Sequence, residues 1–145
     1  MTQTPPTVAF PALAAQVLGR RFSVRFGLEQ SIAIGHPPKE HRFDLVSTDG
    51  QYVGTCREFG QLEGSQVAAL KIGQITEALF FLSFLPDTVV RFVALSRDTR
   101  IVRGETLGEY YYRLYRHLLR DISMFEIDIE TGGVRHLAGG PAVRR

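Results

Sequence analysis

Asp44 carries the most chemical promise in the 145-residue sequence. It sits in an alternating segment, Arg42 to Ser47, and an Asp49-Gly50 turn separates that segment from a second one holding Thr55, Cys56, Arg57 and Glu58. Side chains two residues apart share a face of a strand. Thr55 and Arg57 are therefore expected to point together, with Cys56 and Glu58 on the opposite side. Asp44 can pair with Arg42, Arg57 or a backbone donor, and an Asp44–Arg57 salt bridge across the two strands would be structural in purpose. Other groups stand on neighbouring elements: Glu29 on an earlier strand, and Lys71 and Glu77 on a long helix.

The remaining reactive side chains point to less. His36, His41, His117 and His136 lack zinc-site spacing. His41 precedes Asp44 by three residues, which in a regular strand puts the two on opposite faces. Cys56 has no histidine partner in view and reads as a small buried hydrophobe rather than a nucleophile. Gly104-Glu105-Thr106-Leu107-Gly108 lacks the lysine of a phosphate-binding loop. The run from Tyr110 to Arg116 mixes tyrosines with arginines, which could stack on bases and meet phosphates. Helical spacing offers the simpler alternative that two or three tyrosines are buried and the arginines are solvated. The exposed part of the Tyr110–Tyr115 helix is also a candidate homo-oligomer surface.

The elements that must position these groups follow from period and punctuation. Residues 10–18 predict a short helix with Pro11 in its first turn and Gly19 as a stop. Phe22 to Leu28 alternates as a half-buried strand that can run on to Ile34. Pro37 and Pro38 make residues 35–41 a loop. Residues 42–47 and 52–59 form a strand pair joined by the Asp49-Gly50 turn. A helix is expected from Ser65, a candidate cap, to Leu82, apolar enough near its end to be buried against a sheet. The β-branched stretch 89–96 reads as an interior strand. Residues 105–119 read as a second long helix and 124–129 as a final strand. Hairpins serve the first two strand joins and helical crossovers the later ones, which predicts an α/β fold with a mixed central sheet flanked by helices.

Composition bounds the answer. The chain has one domain's length, 44% apolar and 22% charged residues, a net charge of +2 and a single cysteine. One cysteine excludes an intramolecular disulfide and a multi-cysteine metal site. The first residues lack the basic start and apolar run of a secretory leader, and the most apolar stretch, 78–86, is too short to span a bilayer. The expectation is a cytoplasmic chain with no membrane partner. It comprises a flexible start over residues 1–9, one domain over 10–137 and a flexible tail over 138–145. A near-neutral charge is a weak indication of nucleic-acid binding, and the arginine clusters at 20–21, 97–103, 113–120 and 144–145 read as solvated surface.

The element order, with Asp44 on the second strand and Thr55-Cys56-Arg57 on the third, resembles the PD-(D/E)XK, restriction-endonuclease-like nuclease superfamily over roughly residues 10–100. The resemblance implies an αβββαβ core with an added helix and strand. It also implies a metal-binding aspartate at Asp44 and an acid-X-lysine element at positions 55 and 57. In such a site Mg2+ held by carboxylate oxygens stabilises phosphodiester charge and activates water, while the lysine orients that water. This chain has Thr55 in place of the acid and Arg57 in place of the lysine. A hydroxyl is a poor magnesium ligand, and arginine cannot serve as a base. The resemblance therefore implies a degenerate member acting as a binding or assembly module, with nucleic acid or a companion protein as partner and no cofactor. The alternative is a Mg2+-dependent nuclease rearranged around Asp44, with Glu77 or Glu58 as the second metal ligand and either Lys71, as a migrated amine, or Arg57 as the supporting cation.

Overall fold

The computed structural model describes residues 9–59, 65–99 and 104–139. Six strands form one sheet in the order of the chain: β1 (Phe26–Ile34), β2 (Lys39–Ser47), β3 (Tyr52–Arg57), β4 (Val90–Ser96), β5 (Ser123–Ile127) and β6 (Val134–Gly139). The pairs β1–β2, β2–β3 and β5–β6 are antiparallel, while β3–β4 and β4–β5 are parallel. The parallel joins are made by α2 (Ser65–Leu82) and α3 (Leu107–Tyr115), because a parallel pair needs a crossover and not a tight turn. Helix α1 (Phe10–Phe22) precedes the sheet, and a single 3-10 turn (Arg116–Leu118) follows α3.

The sheet divides the interior into two layers. On one face Val53, Val93, Leu95 and Met124 pack with Ile75, Leu79 and Leu82 of α2 and with Leu107 and Tyr111 of α3. On the other, Leu45, Cys56, Phe92, Phe125 and Ile127 pack against Phe10, Ala14, Val17 and Leu18 of α1. Gly54 is needed in this second layer. The Phe92 ring of the neighbouring strand lies across it, and a Cβ at position 54 would stand 2.1 Å from a ring carbon. The expected mixed sheet flanked by helices is therefore present.

Five local expectations differ, the first being that α3 covers only Leu107–Tyr115 of the helix expected over 105–119, with a 3-10 turn from Arg116. Gly19 does not stop α1, which runs on to Phe22 and closes on Ser23 in the left-handed region, with the Val24 N–H bonded to the Gly19 carbonyl. The first strand consequently begins at Phe26 rather than Phe22. Residues 39–41, read as loop, belong to β2 because the prolines at 37 and 38 occupy only the turn. Strand β6 was not anticipated. Its residues 138 and 139 lie in what read as a tail, and it pairs with β5 through a register shift at Met124/Phe125. Of the expected loose ends, residues 1–8 and 140–145 lie outside the described residues, as do the residue preceding Ser65 and Arg100, Arg103, Arg144 and Arg145 of the arginine clusters.

Candidate functional site

The β2–β3 turn forms as its sequence demands. Gly50 takes φ 72°, the Asp49 carboxylate accepts from the Ser47 hydroxyl at 2.6 Å and the Gln51 N–H at 3.0 Å, and the Ser47 hydroxyl accepts the Tyr52 N–H. The Ser47 bond above all holds the Asp49 carboxyl below its ordinary range. Beyond the turn the ladder is short, pairing Leu45 with Gly54 and Val46 with Val53. At the next step the Asp44 side chain replaces the missing backbone acceptor, its Oδ2 taking the Cys56 N–H at 2.7 Å.

Asp44 is also where the hairpin changes faces. Phe43 belongs to the layer under α2 and α3, but Leu45, two residues on, belongs to the layer under α1. Strict alternation would put both on one face. The β1 register skips the corresponding step, passing from Leu28–Leu45 to Gln30–Phe43, and Glu29 between them has φ 53°. Such an irregularity re-aims the side chains that follow it.

Arg57 gathers the site. Its Nη1 donates to the Cys56 carbonyl at 2.9 Å and lies 3.8 Å from Asp44 Oδ2, while Nη2 lies 3.7 Å from Glu77 Oε1 on α2. Nε donates to the Gln74 carbonyl, also on α2, at 3.3 Å. The guanidinium thus occupies the space between the two acids and ties β3 to the helix above it. Its side chain and that of Asp44 are 25% and 30% exposed, so solvent reaches the pair. His41 joins the same neighbourhood. Its ring stacks on Phe81 of α2 with centroids 3.9 Å apart and meets Phe43 edge-on. Burial pushes its pKa below the ordinary histidine value and Arg57 adds to this, while Glu77 and Asp44 oppose the shift.

The other candidates are placed differently. Thr55 is buried, with 6% of its surface accessible, and Glu58 is exposed just past the end of β3. Glu29 pairs with Arg42 on the surface. Lys71 is held in a buried ion pair with Asp98, Nζ to Oδ2 2.7 Å, and lies 5.4 Å from the Phe59 ring centre. Cys56 is a buried thiol whose pKa burial raises well above its ordinary value, in keeping with a packing role. In α3, Tyr111 is buried and hydrogen-bonded through its hydroxyl to Thr76 at 2.8 Å, whereas Leu114 of the same helix and Leu118 of the 3-10 turn are exposed.

One polar network escaped the sequence reading because it depends on β6. Arg135 donates to Glu126 Oε1 at 2.5 Å and to Glu109 Oε2 at 2.8 Å, while Glu109 closes a reciprocal cap with Thr106 at the start of α3. Glu126 is 2% exposed and sits against the first turn of α3, where a Cβ on Gly108 would come within 3.1 Å of its Oε2. A helix N-terminus favours a carboxylate there.

A divalent cation does not fit the residues around Asp44. Magnesium needs several free oxygen ligands in near-octahedral array. Here Asp44 Oδ2 is engaged by the Cys56 amide, Arg57 lies between Asp44 and Glu77, and position 55 offers only a buried hydroxyl. Among the described residues no group of three His, Cys, Asp or Glu side chains is arranged to hold a metal. No described helix is long and apolar enough to cross a membrane. Comparison with protein-family models, curated proteins and solved structures gives no match.

Proposed function

We propose that this chain is a catalytically impaired PD-(D/E)XK-like domain that serves as a binding or assembly module for nucleic acid or a companion protein. The observation that carries this reading is the place of the Arg57 guanidinium, within 4 Å of both Asp44 and Glu77. A fixed cation there does the electrostatic work that a metal would do for the two carboxylates, holding β2, β3 and α2 together without offering a Lewis acid or an activated water. The loss costs the fold little, because both layers of the core are built from apolar side chains that do not depend on the site.

The test compares wild type with Asp44→Ala for magnesium- and manganese-dependent cleavage of single- and double-stranded DNA and RNA, with calorimetry for metal binding. The folded wild type is expected to cleave none of the four and to bind neither metal at the Asp44 site. Metal-dependent cleavage that disappears in Asp44→Ala would overturn the reading in favour of a rearranged nuclease centred on Asp44.

A further inference from the structure

Charge is divided unevenly along the chain. Of its 17 Lys and Arg and 15 Asp and Glu residues, Arg20, Arg21 and Arg25 are the only charged side chains in residues 1–28. That leaves 14 basic against 15 acidic residues from Glu29 onward, so the positive balance of the chain comes from these three arginines.

The fold gathers them. Helix α1 packs on the opposite face of the sheet from α2, and so away from the Asp44–Arg57 cluster. Its last turn carries Arg20 and Arg21, and the chain then reverses at Ser23, φ 59°. Arg25, just before β1, is thereby brought to the same groove as Arg20, a hollow of about 620 Å³ that Gln16, Gly19 and Ser23 also line. Gln16 and Arg20 stand four residues apart on one helix face, and all three arginines are exposed.

Elsewhere in the structure cations are answered by carboxylates: Arg42 by Glu29, Arg91 by Asp121, Arg113 by Glu105 and Arg135 by Glu126. Helix α1 has no acidic residue, and among the described residues no carboxylate forms an ion pair with Arg20, Arg21 or Arg25. Arg20 and Arg21 complement the negative end of the helix dipole. Arg25 lies past the helix and has no such use. Arg21 is held over the Phe125 ring, 5.3 Å from its centre, a contact that fixes the cation without neutralising it.

Three unanswered guanidiniums about one groove suit a polyanion. Guanidinium matches phosphate oxygens with paired N–H donors. A side-chain amide and a hydroxyl, here Gln16 and Ser23, are the neutral groups that join such contacts to phosphate and sugar. A protein partner would instead seek a large apolar or aromatic anchor. None of the large apolar side chains exposed among the described residues lines this groove. We infer that the last turn of α1 and the entry to β1 form a surface for the phosphate backbone of nucleic acid, engaged without regard to base sequence. The inference narrows the proposed function and rests on its reading of the chain as a binding module.

Fluorescence anisotropy of a labelled mixed-sequence DNA duplex, titrated with the full chain in EDTA from about 10 mM salt upward, tests it. EDTA keeps metal-dependent cleavage out of the result. Such cleavage in the nuclease assay would overturn the proposed function, whereas absence of duplex binding overturns this surface. Three phosphate contacts give a slope of log affinity on log salt of about −2.7, so a threefold rise in salt should weaken wild-type binding about 20-fold. In the double variant Arg20→Gln/Arg25→Gln one contact remains, and the same rise should weaken binding only about 3-fold, from a lower starting affinity. Its melting temperature should match wild type, since both side chains are exposed. The control, Arg116→Gln/Arg120→Gln, removes two exposed arginines beyond α3 and should keep the 20-fold dependence. Equal loss in the control would mean that net charge and not this groove attracts the duplex, and would overturn the inference. So would a polyglutamate peptide that binds as tightly as the duplex and is lost in the Arg20/Arg25 variant, which would make the partner an acidic protein.

Discussion

Replacing Asp44 separates a structural acid from a metal ligand. In the structure its Oδ2 accepts the amide of Cys56, a residue that is 7% exposed, at 2.7 Å, and lies 3.8 Å from Arg57 Nη1. The hydrogen bond is the larger contribution. A bond to a charged group is worth about 1.5–3 kcal/mol, and its loss strands a donor inside the protein. The ion pair is long and reached by solvent, so it contributes at most about 1 kcal/mol. Asp44→Ala removes both and is expected to lower the unfolding free energy by about 3 kcal/mol. Asp44→Asn keeps a carbonyl oxygen for the Cys56 amide and is expected to lower it by only about 1 kcal/mol. Urea unfolding at neutral pH, with and without magnesium, measures both variants against wild type. A metal ligand would behave otherwise. Magnesium at a hundred times its Kd would then stabilise wild type by about 2.7 kcal/mol and neither variant. Equal losses for alanine and asparagine, or a magnesium effect confined to wild type, would refute the structural account.

Two further outcomes follow from the packing. Gly54→Ala should destabilise the fold by about 3 kcal/mol in the same unfolding assay, although alanine suits a strand better than glycine, because Phe92 is fully buried and its ring cannot leave the space the methyl needs. His41 has a folded pKa below the ordinary histidine value of 6.5, chiefly through burial, so the unfolded chain binds its proton more readily. Its contribution to stability is therefore fully present above pH 6.5 and is lost as the pH falls through the folded value. His41→Phe, which keeps a ring against Phe81, should flatten the slope of unfolding free energy in that window. An unchanged slope would place the titration elsewhere.

Some of this was legible because the signal is local. The Asp49-Gly50 turn is set by the positive φ that glycine supplies and by a short side chain that bonds its own backbone. Helix α2 was read from Ser65 to Leu82, the bounds the structure gives, since eighteen residues of apolar helical spacing suit no other element. The mixed sheet followed from hairpin-length joins early in the chain and helix-length joins later. The Asp44–Arg57 pair was one of the alternatives open from strand alternation alone.

The rest depended on partners distant in sequence. Strand β6 carries few of the apolar residues that mark a strand, and its pairing is decided by β5, whose far edge it covers. The Glu126–Arg135–Glu109 network could not be read without it. His41 was placed on the face away from Asp44 because alternation was counted through position 44, and Glu29 and Asp44 together interrupt that alternation. Lys71 carried no mark of its buried partner, since Asp98 lies across a crossover at the end of the next strand. By itself the sequence determined the periods, the turns and hence the order of elements, all of which arise from a residue and its near neighbours. Which charges meet, and which face a strand shows after an irregularity, were decided only in the folded chain, where groups far apart in sequence compete for the same few buried donors and acceptors.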